Sequence, residues 1–355
     1  MTARPDDDPL PPERTGPAAW YGPDMACRDD WLIDLTEAEL AEVEANVRRL
    51  AAHEADIAAI SAVDFPSPTL RLTLDRALSD LLRGRGFVLL RGLPVQRWSV
   101  REAAIAFMGI GAHLGSARSQ NAKGHVLGHV QDLGLKSDNP NVRIYQTSER
   151  QTYHTDSSDV VGLLCLQTAR RGGLSTLVSA ATIYNEMRRR RPDLLRLLLD
   201  PIATDRRGEV PVGMKPYLTI PVFSWHAGYL TIFYQRQYID SAQRFPDAPR
   251  LGPAHIEALD LFDSLANDPA LHLHMEFRRG DIQLVHNHSL LHDRTSFEDW
   301  PEPARRRHLL RLWLSVPGDR PLPPVFAERY GSITIGDRGG ILVPGTRLHA
   351  PLQAE

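Results

Sequence analysis

His154 and Asp156 stand two positions apart in Gln151-Thr152-Tyr153-His154-Thr155-Asp156. On an extended segment side chains alternate with period two, so both would project to the same side. An imidazole nitrogen and a carboxylate oxygen projecting together supply two corners of a metal site. A second histidine from a distant strand would complete a 2-His-1-carboxylate facial triad, which leaves open positions on a ferrous ion for other ligands and O2. The chain offers such histidines late, at His286, His288 and His292, and a basic run, Arg305-Arg306-Arg307-His308-Leu309-Leu310-Arg311-Leu312-Trp313, follows them. Two glutamate rivals exist, His255-Ile256-Glu257 and His274-Met275-Glu276. The first sits in a helical pattern, where spacing two does not share a face. The plain alternative for all of these is a set of surface or internally hydrogen-bonded histidines.

The order His-x-Asp, remote His, then Arg at the start of a late strand resembles the iron(II)/2-oxoglutarate dioxygenases, and among them the taurine dioxygenase (TauD/TfdA) branch. The resemblance is carried by Tyr153-His154-Thr155-Asp156, Gly172-Gly173-Leu174-Ser175-Thr176, Arg279-Gly280-Asp281, Leu291-His292-Asp293-Arg294-Thr295-Ser296-Phe297 and Arg307-His308-Leu309-Leu310-Arg311. It implies a double-stranded β-helix, a mainly β jelly-roll with flanking helices. It selects His292 as the third ligand beside His154 and Asp156, leaving His286 and His288 as supporting groups, and it sets His274-Met275-Glu276 aside as too close to the late histidines. Arg307 would bind the far carboxylate of 2-oxoglutarate, helped by the hydroxyl of Ser175 or Thr176, which should face opposite ways on an extended segment. Arg311 would face the substrate or a structural carboxylate. The implied activity is oxidation, by default hydroxylation, of an unactivated C–H of a small molecule, using Fe(II), 2-oxoglutarate and O2 and releasing succinate and CO2. Asp156 leaves no vacancy for a chloride ligand, which disfavours halogenation. Asp293 departs from the pattern, standing where many relatives have a small residue. Two other readings compete: a cupin-type metal enzyme that uses no oxoacid, and a non-catalytic binder that kept the fold.

The rest of the chain must position these groups. Its 355 residues, 42% hydrophobic, suffice for one large domain with a sizeable core. A net charge of −3 with 24% charged residues gives no basic surplus for nucleic acid. Cys27 and Cys165 form no CxxC, so a reducing compartment is expected. With no apolar run of the ~20 residues a membrane span needs and no apolar core of a signal peptide near Met1, the expectation is a cytoplasmic protein acting on a small molecule, with a homo-oligomer possible.

Residues 1–18, rich in Pro and Asp, read as a flexible tail, and 19–355 as a single catalytic domain. Thr36 with Glu39, and Ser99 with Glu102, are capping boxes that open helices to about Ile60 and His113. A further helix is expected from Pro68 to Leu82, and a buried strand over Gly86–Gly92. The polar stretch 115–141 reads as a binding loop, with Gln120, Asn121, His125 and His129 as substrate-contact candidates. Strands are expected over Val142–Thr147, Val160–Leu166 and Ile282–Val285. Another covers Tyr229–Arg236, where alternation would put Tyr234 and Arg236 on one face and make Arg236 a candidate for gripping an anionic substrate. Ser179 opens a helix whose four arginines, Arg188 to Arg191, read as a solvated end. A short helix follows Pro192, and an amphipathic one runs from Pro253 to Asn267 with Ile256, Leu259, Phe262 and Leu265 inward. Residues 317–355 read as a closing strand and tail.

Overall fold

The computed structural model describes residues 10–136, 142–211, 213–343 and 345–354. Two sheets face one another. In the larger, Leu32–Asp34, Phe87–Arg91, Ile282–His286, Val160–Gln167, His308–Ser315 and Ser116–Ala117 lie in that order, with Leu127–Val130 also on His308–Ser315. In the smaller, the order is His272–Met275, Ser175–Ser179, Leu290–Arg294, Gln151–His154. All pairings are antiparallel except that of Leu32–Asp34 with Phe87–Arg91. This is the expected jelly-roll.

Alternation along the strands explains the layering. On His308–Ser315, Leu310, Leu312 and Leu314 pack outward on the helical layer of Glu37–Ala52, Arg71–Arg83 and Val100–Leu114. Leu309 and Trp313 point inward, into an apolar seam with Val161, Cys165, Leu177 and Leu290. The odd-numbered set on this strand thus faces the space between the sheets, and Arg311 belongs to it. Behind the smaller sheet, Val178 and Leu291 pack on the helices Ala180–Arg190, Pro192–Leu198 and Pro253–Ala266. Both capping boxes form as the sequence predicts.

Several expectations are corrected. Of the expected flexible tail, residues 1–9 lie outside the described residues, but 10–18 dock on the helix Ala180–Arg190. Pro11 O accepts from Tyr184 Oη (2.6 Å), Arg14 exchanges backbone bonds with Asn185, and Ala18 O accepts from Ser179 Oγ. Val142–Thr147 is no strand: Ile144–Gln146 is a 3-10 turn, because Gln146 Oε1 accepts from Arg143 N and Thr147 Oγ1 donates to Ile144 O. The strand Tyr229–Ile232 stops short of Arg236, which opens the helix Arg236–Ala242. Ile256 is exposed, whereas Leu259, Phe262 and Leu265 are buried as expected. Residues beyond 317 are more than a tail: Arg338 is fully buried and bonded to both Asp159 and Asp319. Among the described residues, no helix is long and apolar enough to cross a membrane.

Two histidines away from the cluster of His154, Asp156 and His292 set a pH dependence. Burial, opposed by Asp319, pushes His286 down to about 4. Burial, together with His129 and Arg307, pushes His308 down to about 4. Both are neutral when folded and take up protons on unfolding below about 6.5, so each removes about 1.4 kcal/mol per pH unit as pH falls from there toward 4. Denaturant midpoints of metal-free protein should therefore hold from pH 8 to 7 and fall steeply between 6.5 and 4.5. His308→Gln should flatten that slope. A midpoint unchanged at pH 5 would contradict it.

Candidate active site

His154 ends one strand of the smaller sheet, and His292 sits directly across from it on the neighbouring strand. Directly paired residues share a face, so both rings turn into the space between the sheets, with centroids 4.1 Å apart. Asp156 follows just past the strand end, where Asn287 Oδ1 accepts from its backbone N–H (3.0 Å). His154 Nε2 lies 4.0 Å from Asp156 Oδ1 and His292 Nε2 lies 3.7 Å from Asp156 Oδ2. One ligand atom from each of the three falls within 4.8 Å of the others, all buried.

The donor set suits a divalent metal. Burial keeps His154 below its ordinary value, and burial with the neighbouring His154 ring takes His292 down to about 3, so both offer lone pairs at neutral pH. Burial alone would raise Asp156, but Arg311 and the Trp313 indole, which donates to Oδ2 at 2.9 Å, hold it below its ordinary value. His154 Nδ1 donates to Thr152 O (2.8 Å), fixing the tautomer that leaves Nε2 free. Gln151 Nε2 lies 2.8 Å from that Nε2, so a metal there would displace the amide.

Below the triad, about 440 Å³ of unoccupied space is lined by His292, Arg294, Arg307, Ser175 and Phe277 among others. Arg307 is buried there, its Nη1 without a partner among the described residues, and burial takes its pKa down to about 10. Gly173 makes room: its φ of +69° disfavours any side chain, and a Cβ would stand 2.9 Å from Arg307 Nε. Ser175 lines the same space and donates to Gln283 Oε1 (3.2 Å). Thr176 turns to the opposite face and donates to Asp293 Oδ1 (3.0 Å). The departure at Asp293 is thereby explained: this carboxylate accepts from Thr176 and Arg150 behind the sheet.

Above the triad, a second space of about 480 Å³ is lined by His154, Asp156, Gln120, Arg311, Trp313, Tyr238, Arg143 and Arg329 among others. Arg311 borders both spaces, with Nε donating to Gln120 Oε1 (2.7 Å) and Nη1 3.7 Å from Asp156 Oδ2.

Other candidates fall away. Asn121 closes a tight turn, its Oδ1 accepting from Lys123 N and His125 N. His125 packs on His349, and His129 bridges His308 and Pro351 O, both off the cavity. Arg236 is held by Asp240, Asp260 and Asp263, so no substrate can claim it. His286 and His288 face away into the network of Asp159, Asp319 and Arg338. His274 pairs with His272 and is exposed, ending the rival triplet.

Sequence reasoning missed Arg294, Trp313, Gln151, Arg143 and Arg329. The first two had a signal: Arg294 is two residues from His292 and Trp313 two from Arg311, each on an established inward face. Arg294 is buried, with Nε and Nη1 unpartnered among the described residues; burial and Arg307 take it down to about 9. Both guanidiniums stack on Phe297, at 4.9 and 5.2 Å. Arg143 precedes a 3-10 turn and Arg329 lies in the four-residue helix Ala327–Tyr330, both too short to show a period.

Residues 46–313 match the family described as taurine catabolism dioxygenase TauD, TfdA family. FR-33289 synthase of Streptomyces rubellomurinus (strain ATCC 31215) is 30% identical over 327 residues, covering 89% of this chain and 95% of that protein. Taurine hydroxylase-like protein SAT17 of Stachybotrys chartarum is 32% identical over 304 residues, covering 83% and 77%. In three dimensions the chain is similar to an asparagine oxygenase solved with Fe(II), 2S,3S-3-hydroxyasparagine and succinate (TM-score 0.63, 16% identity, 80% of this chain and 93% of that one). With the family matched over most of its length, the chain belongs to the taurine catabolism dioxygenase TauD, TfdA family and is an iron(II)/2-oxoglutarate-dependent oxygenase of a small molecule.

Proposed function

We propose that His154, Asp156 and His292 hold the ferrous ion, that Arg307 with Ser175 and Arg294 holds the far carboxylate of 2-oxoglutarate, and that the substrate's C–H is presented from the Arg311 side. The observation that carries this is the buried Arg307 Nη1, without a partner among the described residues, in a space that also reaches His292. A buried guanidinium without an acceptor is costly unless a ligand supplies one. A cupin without an oxoacid has no such ligand, which is why that reading is set aside. When bound, the metal supplies O2 activation coupled to decarboxylation of the oxoacid.

The chain's own part is orientation and charge. Trp313 and Asn287 fix Asp156 from its side chain and its backbone, holding the carboxylate beside both imidazoles. Arg311 stays beside Asp156 through Gln120 and offsets the carboxylate's charge. Tyr145 and Trp313 flank the Arg311 guanidinium at 4.7 and 5.1 Å and keep it out of water. Hydroxylation is the expected outcome, and a cytoplasmic setting suits the unpaired Cys27 and Cys165.

Turnover tests it: succinate release should depend on Fe(II) and 2-oxoglutarate and rise above its uncoupled level with at least one member of a small-metabolite panel. Iron-dependent oxidation of a panel member with no 2-oxoglutarate consumed would overturn the assignment.

A further inference from the structure

The space above the triad is unusually basic at its outer end. Arg143 reaches it from the segment before the 3-10 turn, and Arg329 from the short helix Ala327–Tyr330 near the C-terminus. Arg143 donates to Tyr238 Oη (2.6 Å) and pairs with Glu209 (2.8 Å). Arg329 donates from Nε to Ser157 Oγ (2.6 Å), and the hydrogen bonds of the described residues give its two terminal nitrogens no acceptor. Both hydroxyls accept from a guanidinium, so each keeps a proton to donate elsewhere. Two guanidiniums and two hydroxyl donors therefore converge on a cavity wall that holds a single carboxylate, Glu209.

Charge over the whole cavity decides the ligand class. Three guanidiniums, Arg143, Arg311 and Arg329, face two carboxylates, Asp156 and Glu209. A divalent metal adds two positive charges, and 2-oxoglutarate removes two while engaging Arg307 and Arg294 below. An excess of positive charge remains on the substrate side. A zwitterionic substrate would leave that excess uncompensated, because its ammonium group would claim Glu209. Arg311 is the poorer seat for an anion, since Gln120 and Asp156 already engage it.

We infer that the primary substrate carries a tetrahedral oxyanion headgroup of phosphate or phosphonate type, seated between Arg329 and Arg143 with the hydroxyls of Ser157 and Tyr238. The headgroup anchors the end away from the metal, and the rest of the molecule reaches past Trp313 and Gln120 toward His154 and Asp156. This rests on the iron and 2-oxoglutarate assignment above and adds the substrate class. With Arg307 and Arg294 included in the balance, a dianion offsets more of the excess than a monoanion would, and bidentate guanidinium contacts favour oxyanions of this shape.

The test uses anaerobic protein loaded with Fe(II) and 2-oxoglutarate, titrated calorimetrically with methylphosphonate, inorganic phosphate, methanesulfonate and acetate. Methylphosphonate and phosphate should bind competitively, more tightly than acetate, and more tightly as dianions than as monoanions. Methanesulfonate, a monoanion of similar shape, separates shape from charge and should bind less tightly than methylphosphonate. Arg329→Gln and Arg143→Gln should each weaken methylphosphonate about tenfold or more. Arg329→Lys should recover part of the loss, and Arg305→Gln on the surface should change nothing. The visible band of the loaded complex, read first, separates the two claims. If that band is absent, the iron assignment has failed. If it is present and the phosphorus oxyanions bind no better than acetate, or bind equally to Arg329→Gln, the seat does not exist.

Discussion

Arg307→Ala should lose 2-oxoglutarate affinity by a few hundred- to several thousandfold while still binding Fe(II). The estimate is the roughly 3–5 kcal/mol for removing the buried partner of a charged group. Arg294 shares the same space and still offers the far carboxylate a cation in the variant, which places the expected loss toward the lower end. The ligand-free protein gives an independent sign. Arg307 is buried, its Nη1 without a partner among the described residues, and burial already presses its pKa down to about 10. Deleting it should leave the thermal midpoint of the ligand-free protein unchanged or raised, while the stabilisation normally gained on adding 2-oxoglutarate disappears. Arg307→Lys should restore only part of the affinity, because an ammonium cannot reproduce the planar fork. If Arg311→Ala loses the co-substrate and Arg307→Ala keeps it, the two roles are exchanged.

The second large effect separates two histidines four residues apart in sequence. His292→Ala should lower Fe(II) affinity by more than about a hundredfold, beyond the 10–100-fold typical of groups that only support a ligand. Its thermal midpoint without metal should hold or rise, because a buried ring whose Nδ1 has no partner among the described residues, beside a second imidazole, has been removed. His288→Ala should behave oppositely. Its Nε2 lies 2.9 Å from Asp159 Oδ1 in the fully buried network with Arg338, so its loss should cost about 2–3 kcal/mol of stability. The folded fraction should still bind iron. Anaerobic Fe(II) titration and thermal melts of both variants would show this; equal loss of iron from both in folded protein would mean the ligand has been misassigned.

How far the chain could be read without coordinates depended on where period and cap chemistry survive. The His-x-Asp pair was legible because two residues on an extended segment share a side, and the structure seats both against His292. Choosing His292 over His286 and His288 came from the resemblance. Geometry gives a physical reason: His292 shares a face with His154, whereas His286 points at Asp319. Arg236 misled because its strand ends at Ile232 and three acidic residues from two helices collect around it, a tertiary event with no trace in strand alternation. Residues 10–18 misled for the same reason: a Pro- and Asp-rich composition argued for a free tail, but Tyr184 and Asn185 bind its backbone groups. The outer wall built by Arg143 and Arg329 was out of reach, because it is assembled from a 3-10 turn and a four-residue helix.

The central claim is that one face built from His154, Asp156 and His292 holds ferrous iron while Arg307 draws 2-oxoglutarate onto it. The most direct measurement adds Fe(II) and then 2-oxoglutarate to the protein under strict anaerobiosis and records the visible spectrum. A weak charge-transfer band should appear only with both present and saturate at one equivalent of each. It should be absent in His292→Ala and require far more 2-oxoglutarate in Arg307→Ala. Iron demonstrably bound with no band at any 2-oxoglutarate concentration would contradict the account.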